Sequence, residues 1–258
     1  PPLLPPTWRA DLAARADLDA AYAALGRCDH FYTEALRGWV RTLQLRLSEA
    51  ESHFDRSREL ARGIPSTIPN LTRRFLSEAY SAECALLRGP PPRSERVPLT
   101  TPAPAGSIAS EWPEVRVVIE SCRACEARFL LHAGDFERGA RIFGRLLSER
   151  QGERGAELAA WYLGLAACQH GLDLGEPAIR SLENAELATL SAEGALPALR
   201  DAACLAAFWT SLGAADRARE WRIFLDRFPC PEPTRTVFRR RSEIIARRCR
   251  ELGWLVVL

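Results

Sequence analysis

The stretch from Ala124 to Leu147 constrains the fold more than any other part of the chain. Apolar positions recur there at helical spacing, break at Gly134-Asp135-Phe136, and resume with Gly139, Ala140 and Phe143 on one face. Small residues let two helices approach closely, and the aromatic ring plugs the seam between them. A hairpin of this size cannot bury its apolar face alone, so copies must stack. Strand signals are nearly absent, and the composition favours helix formers such as Ala, Leu, Arg and Glu. The expected fold class is therefore all-α, a right-handed stack of helical hairpins.

The same periodicity predicts helices at about 9–26, 30–47, 49–62, 70–88, 113–132, 136–150, 153–170, 175–189, 193–212, 214–227 and 233–252. Ser48-x-x-Glu51 reads as a capping box, Asp29 and Asp135 as N-caps, and Pro113 as a first-turn residue. Gly63, Gly89, Gly171 and Gly213 read as helix stops. A proline-rich run between Gly89 and Trp112 cannot be helical, because proline fixes φ and removes a donor. The expected organisation is a proline-rich linker at 1–8, a helical bundle at 9–88, a loop at 89–112, and a stack at 113–258 capped by the helix at 233–252.

The chain has 258 residues, a formal net charge of +2, and 35 basic residues that are all arginine. No apolar run approaches the roughly 18 to 20 residues that span a bilayer. Eight cysteines are dispersed on apolar helical stripes, where a free thiol packs as a small hydrophobe. They are expected to be reduced, and the protein to be intracellular and cytoplasmic.

The hairpins resemble tetratricopeptide repeats. Ala127, Gly139 and Phe143 take the places of that family's small, small and bulky residues. A second stretch begins at Trp161-Tyr162-Leu163-Gly164 and continues, two residues late, with Ala178, Leu182 and Ala185. A third has Leu205-Ala206, Gly213 and Ala218, with Arg222 where a bulky apolar residue is expected. A looser match uses Gly38, Ala50 and Phe54, where Arg37 and Arg41 depart from the pattern. The resemblance implies a concave face built from the first helix of each pair, holding a peptide. Projected onto this chain, that face carries Arg128, Leu131, His132, Trp161, Leu165, Gln169, Arg200 and Thr210, with Tyr32 and Trp39 added by the looser match. The lysine-based clamp that some members use for a peptide carboxylate has no counterpart, because the chain has no lysine.

A second candidate surface is the last helix, where Arg235, Arg239, Arg240, Arg241, Arg247, Arg248 and Arg250 face only Glu243 and Glu251. Such a stripe attracts phosphate or an acidic partner, or simply keeps a capping helix soluble. Cys122-x-x-Cys125 lacks the second pair that a zinc site needs. His30, His53, His132 and His170 are scattered, and no nucleophile elbow, phosphate loop or H-E-x-x-H occurs. The expectation is a non-catalytic scaffold that binds a protein or peptide, with no cofactor and no metal. A ligand-sensing domain of a larger enzyme is the alternative, and a nucleic-acid-binding helical repeat the second.

Overall fold

A computed structural model describes residues 17–26, 29–65, 68–88, parts of 116–131, 134–150, 156–191 and 195–252. Every described element is an α-helix. They are α1 (Leu18–Ala24), α2 (Phe31–Leu43), α3 (Leu47–Ala61), α4 (Ile68–Arg88), α5 (Phe136–Glu149), α6 (Ala156–Gly171), α7 (Gly175–Leu190), α8 (Ala195–Ser211), α9 (Ala215–Arg227) and α10 (Glu232–Leu252). Described residues of 116–131 are helical as well. None of the described helices is long and apolar enough to cross a membrane. The expected linker at 1–8, the start of the first helix, Gly89–Trp112 and Pro113 lie outside the described residues.

One turn geometry recurs four times. Leu45, Gly134, Asp173 and Gly213 each adopt positive φ, between 58° and 82°. In each case the next N–H reaches a carbonyl five residues back: Arg46 to Arg41, Asp135 to Leu130, Leu174 to Gln169, and Ala214 to Trp209. This 6→1 bond closes a helix through a left-handed residue. The following helix starts two residues after that residue every time. Glycine adopts this conformation freely, whereas leucine and aspartate are strained in it. The turn nevertheless persists at Leu45 and Asp173, with the same closing bond as at the two glycines.

Two capping expectations are corrected. The Ser48-x-x-Glu51 box is not used: α3 begins earlier, with Arg46 at the N-cap and no side-chain bond there. Asp29 does not cap α2; His30 does, its Nδ1 accepting from the Tyr32 amide at 3.3 Å. Asp135 does cap α5, accepting from the Arg138 amide. The reading missed Asp17, which caps α1 through the amides of Asp19 and Ala20.

Small residues seat aromatic rings at several helix pairs. The Phe54 ring lies against Gly38 within the α2–α3 hairpin, and the Phe136 ring lies against Gly171 between α5 and α6. Gly139 lets α5 approach the preceding helix, with the Ala127 carbonyl 3.3 Å from where a Cβ would sit. Phe143 meets Gly164 of the next hairpin, so it joins one pair to another rather than sealing its own. Sequence neighbours pack on each other from α5 to α10, and alternate helices also touch, α6 on α8 and α8 on α10. The helix α8 is central, with every residue from Asp201 to Trp209 buried. One apolar cluster runs from Leu18 to Cys249 and so joins the N-terminal helices to the rest.

Candidate functional site

Of the residues expected on the inner face, α6 carries Trp161, Leu165 and Gln169 and α8 carries Arg200 and Thr210, and a charged cluster forms beside them. Arg200 and Asp201 project from α8, Arg241 from α10, Arg128 from the helix at 116–131, and Glu83 from α4. Arg241 is 1% exposed, and its Nη2 donates to Glu83 Oε1. Arg200 Nε donates to Asp201 Oδ1 at 3.0 Å. Burial pushes the Glu83 carboxyl up, but Arg241, Arg200 and Arg128 hold it below the usual carboxylate range. For Asp201 burial wins over the same arginines, and its carboxyl is raised. Arg200 loses ground to burial, yet Asp201 and Glu83 raise it overall. Three guanidiniums thus share two carboxylates. Arg241 Nε and Nη1, Arg128 Nε and Asp201 Oδ2 are buried without a hydrogen-bond partner.

Arg128 and Arg200, both expected on the inner face, thus share Glu83 of the chain's own α4 with Arg241. Tyr32 and Trp161 are core residues at 5% and 4% exposure, closed to a partner in this arrangement. Trp39 is half-buried against Tyr80, with ring centroids 5.3 Å apart. Gln169 accepts from Ser181 on α7 at 2.7 Å. Thr210 accepts from Arg222 on α9 at 2.7 Å, which explains the arginine found in the third hairpin. His132, Cys122 and Cys125 lie outside the described residues.

The arginines of α10 are largely engaged. Arg235 binds Glu232 and the carbonyls of Phe228 and Cys230. Arg239 pairs with Asp226 and Glu232. Arg241 holds Glu83, and Arg248 donates to the Arg88 carbonyl at 2.7 Å. Arg240 and Arg247 are exposed on the same helix. A surface for phosphate contacts needs guanidiniums that are not already neutralised, so the expected basic patch shrinks.

Two further clusters escaped the sequence reading. Tyr22, His53 and Glu34 form a relay across α1, α3 and α2. A carboxylate only accepts, so His53 Nδ1–H donates to Glu34 at 2.7 Å. Its Nε2 then accepts from the Tyr22 hydroxyl at 2.9 Å. Arg41 lies over the Tyr22 ring at 3.5 Å. The second cluster joins α7, α8 and α9, where Glu186 Oε1 accepts from two indole N–H groups, Trp209 at 2.8 Å and Trp221 at 2.7 Å. Arg217 binds Glu186 and Glu183 and stands over the Trp209 ring. Leucine and isoleucine side chains stay exposed on or next to α7 and α9: Leu174, Ile179, Leu187, Leu190 and Ile223.

Burial pushes the thiols of Cys168, Cys204 and Cys249 up to about 12, which suppresses the reactive thiolate. Among the described residues, no group of three or more His, Cys, Asp or Glu side chains is placed to hold a metal. No protein-family model matches the chain, and neither a curated protein nor a solved structure matches it significantly.

The buried groups set a pH profile. Burial, aided for His30 by Arg73, lowers both His30 and His170 from 6.5. Their folded values lie below the unfolded ones, so their contribution is present above pH 6.5 and fades as pH falls. Glu83 and Glu120 are lowered from 4.5, so their contribution is lost only in more acid solution. Asp201 has the opposite sign, its contribution fading as pH rises. Urea midpoints should fall gently below pH 6.5 and steeply below 4.5. The variant H30N/H170Q should flatten the first limb alone, since asparagine still caps α2.

Proposed function

We propose that this chain is a non-catalytic interaction scaffold, a stack of helical hairpins resembling tetratricopeptide repeats, that holds a peptide segment or a partner domain. The observation that carries the reading is the turn repeated at Leu45, Gly134, Asp173 and Gly213. A chain that reuses one hairpin builds an extended surface rather than a single enclosed site. The Arg241–Glu83 contact closes the middle of the inner face, so the partner surface shifts to the outer layer. There Leu187 and Leu190, exposed at 68% and 64%, flank the charged hub of Glu186 and Arg217. Apolar side chains ringed by polar ones are the usual anatomy of an interface.

The test is a displayed random-peptide library screened against the immobilised full chain. Selected peptides should share one motif, and their binding should be lost in L187D/L190D, whose helical circular dichroism should equal the parent's. Retention in that variant but loss in Q169A/T210A would return the site to the inner face. The scaffold reading fails if no sequence recurs among the selected peptides.

A further inference from the structure

Tyr22, His53 and Glu34 stand in the order of a nucleophile, its base and the group that orients the base. The Tyr22 hydroxyl donates to His53 Nε2 at 2.9 Å, within reach of a base that takes up the phenolic proton. Glu34 Oε2, 2.7 Å from Nδ1, fixes the ring and its tautomer. Arg37 holds the other Glu34 oxygen at 3.1 Å. Two cations stand over the phenol ring, the guanidinium carbon of Arg41 3.5 Å and that of Arg37 5.0 Å from its centroid. Glu49 and Gln44 keep Arg41 in place, at 3.0 Å and 2.7 Å. Both guanidiniums favour negative charge as it develops on the ring during transfer.

Access to the relay comes along α1. Tyr22 and His53 are half-buried and Glu34 is buried, so the relay meets solvent at its nucleophilic end. Around Tyr22, the side chains of Asp19, Ala20, Ala23 and Ala24 are exposed, and the alanines put no bulk of α1 in the way. Competing nucleophiles are few. The chain contains no lysine, the side chain that acyl donors usually modify. Burial pushes the thiols of Cys168, Cys204 and Cys249 up to about 12 and that of Cys84 up to about 11, which suppresses their thiolates. Leaving-group chemistry then sets the donor class. A phenol ester is itself activated, so acyl transfer to tyrosine runs downhill only when the leaving group is the stronger acid. A thiol meets that condition and an alcohol does not.

We propose that Tyr22 is an acyl-acceptor site that takes an acyl group from a thioester. Tyr22 Oη attacks the carbonyl carbon while His53 Nε2 takes the phenolic proton. The carbon–sulfur bond breaks, and His53 returns the proton to the departing thiolate. One thioester and one phenol thus become one acyl-tyrosine and one thiol, with no redox change. The site is separate from the outer layer of α7 and α9, and it gives the chain a covalent chemistry beyond that of a scaffold.

Treatment of the full chain with S-phenyl thioacetate at neutral pH, followed by trypsin and mass spectrometry, tests this directly. Residues 16–27 form one tryptic peptide, in which Tyr22 is the only hydroxyl and no thiol or imidazole occurs. Tyr22 should be acetylated about tenfold or more faster than Tyr80 and Tyr162, which are half-buried too and serve as controls in the same molecule. Ethyl acetate should leave the peptide unmodified. H53Q, whose amide still accepts the hydroxyl but takes up no proton, should slow acetylation about tenfold or more, and its thermal melt verifies its fold. Labelling of Tyr22 no faster than that of Tyr80 and Tyr162 overturns the site. Equal rates in H53Q and the parent overturn the assignment of His53 as the base. Acetylation by ethyl acetate at the rate of the thioester overturns the donor class.

Discussion

Gly164→Leu should lower the stability of the chain by more than about 2 kcal/mol. A Cβ at Gly164 would sit 2.6 Å from Phe143 Cε2 and 2.9 Å from Cε1, closer than real contacts come. Both residues are buried, Phe143 completely, so the ring has no solvent to turn into. Glycine inside a helix is itself unfavourable by about 1 kcal/mol relative to alanine. Retaining it in the middle of α6 makes sense because the ring needs the space. Gly164→Ala isolates the clash, since it adds one methyl and improves helix propensity. Chemical denaturation should still show it destabilised, and Phe143→Leu should recover part of the loss in that background while being destabilising alone. A Gly164→Ala protein more stable than the parent would mean that Phe143 does not join the two hairpins.

Glu83→Leu should cost about 3–5 kcal/mol, the usual penalty for leaving a buried charge without its partner. Among the described residues Glu83 is the acceptor that Arg241 meets, and Arg200 and Arg128 would lose the same carboxylate. Combining it with Arg241→Met removes the orphan cation along with its partner. The double variant should therefore be more stable than Glu83→Leu alone. Urea titrations of the three proteins decide the matter, and strict additivity of the two changes would rule out a direct pair.

The helices were legible because their signals are local. Period and composition place α2, α3 and every helix from α5 to α10 within a few residues of their observed ends. The small and bulky residues of the hairpins were legible for the same reason, including Gly38, Gly139, Phe143 and Gly164. Caps were less so. Ser48 carries the right letters but sits inside α3, because the turn at Leu45 starts the helix sooner than its side chain would.

The charged centre was legible only in part. Arg128 and Arg200 were expected on the inner face, but their filling by Glu83 was not. Arg241 and Glu83 are 158 positions apart, and no periodicity links them. Tyr22 and His53 are 31 apart. Each looks ordinary in its own helix and gains meaning only when two helices cross. Trp161 was ambiguous for a related reason, since helical spacing says which face a ring takes but not what covers that face.

The unbroken core from Leu18 to Cys249 has a practical consequence. The chain should melt in a single cooperative transition by calorimetry, despite the proline-rich stretch that invites a cut in its middle. A fragment beginning at that cut would arrive with Arg241 stripped of its counterion and with naked apolar surface, and so would be prone to precipitate. Anyone wishing to handle the C-terminal helices by themselves would do better to supply α4 as a separate peptide.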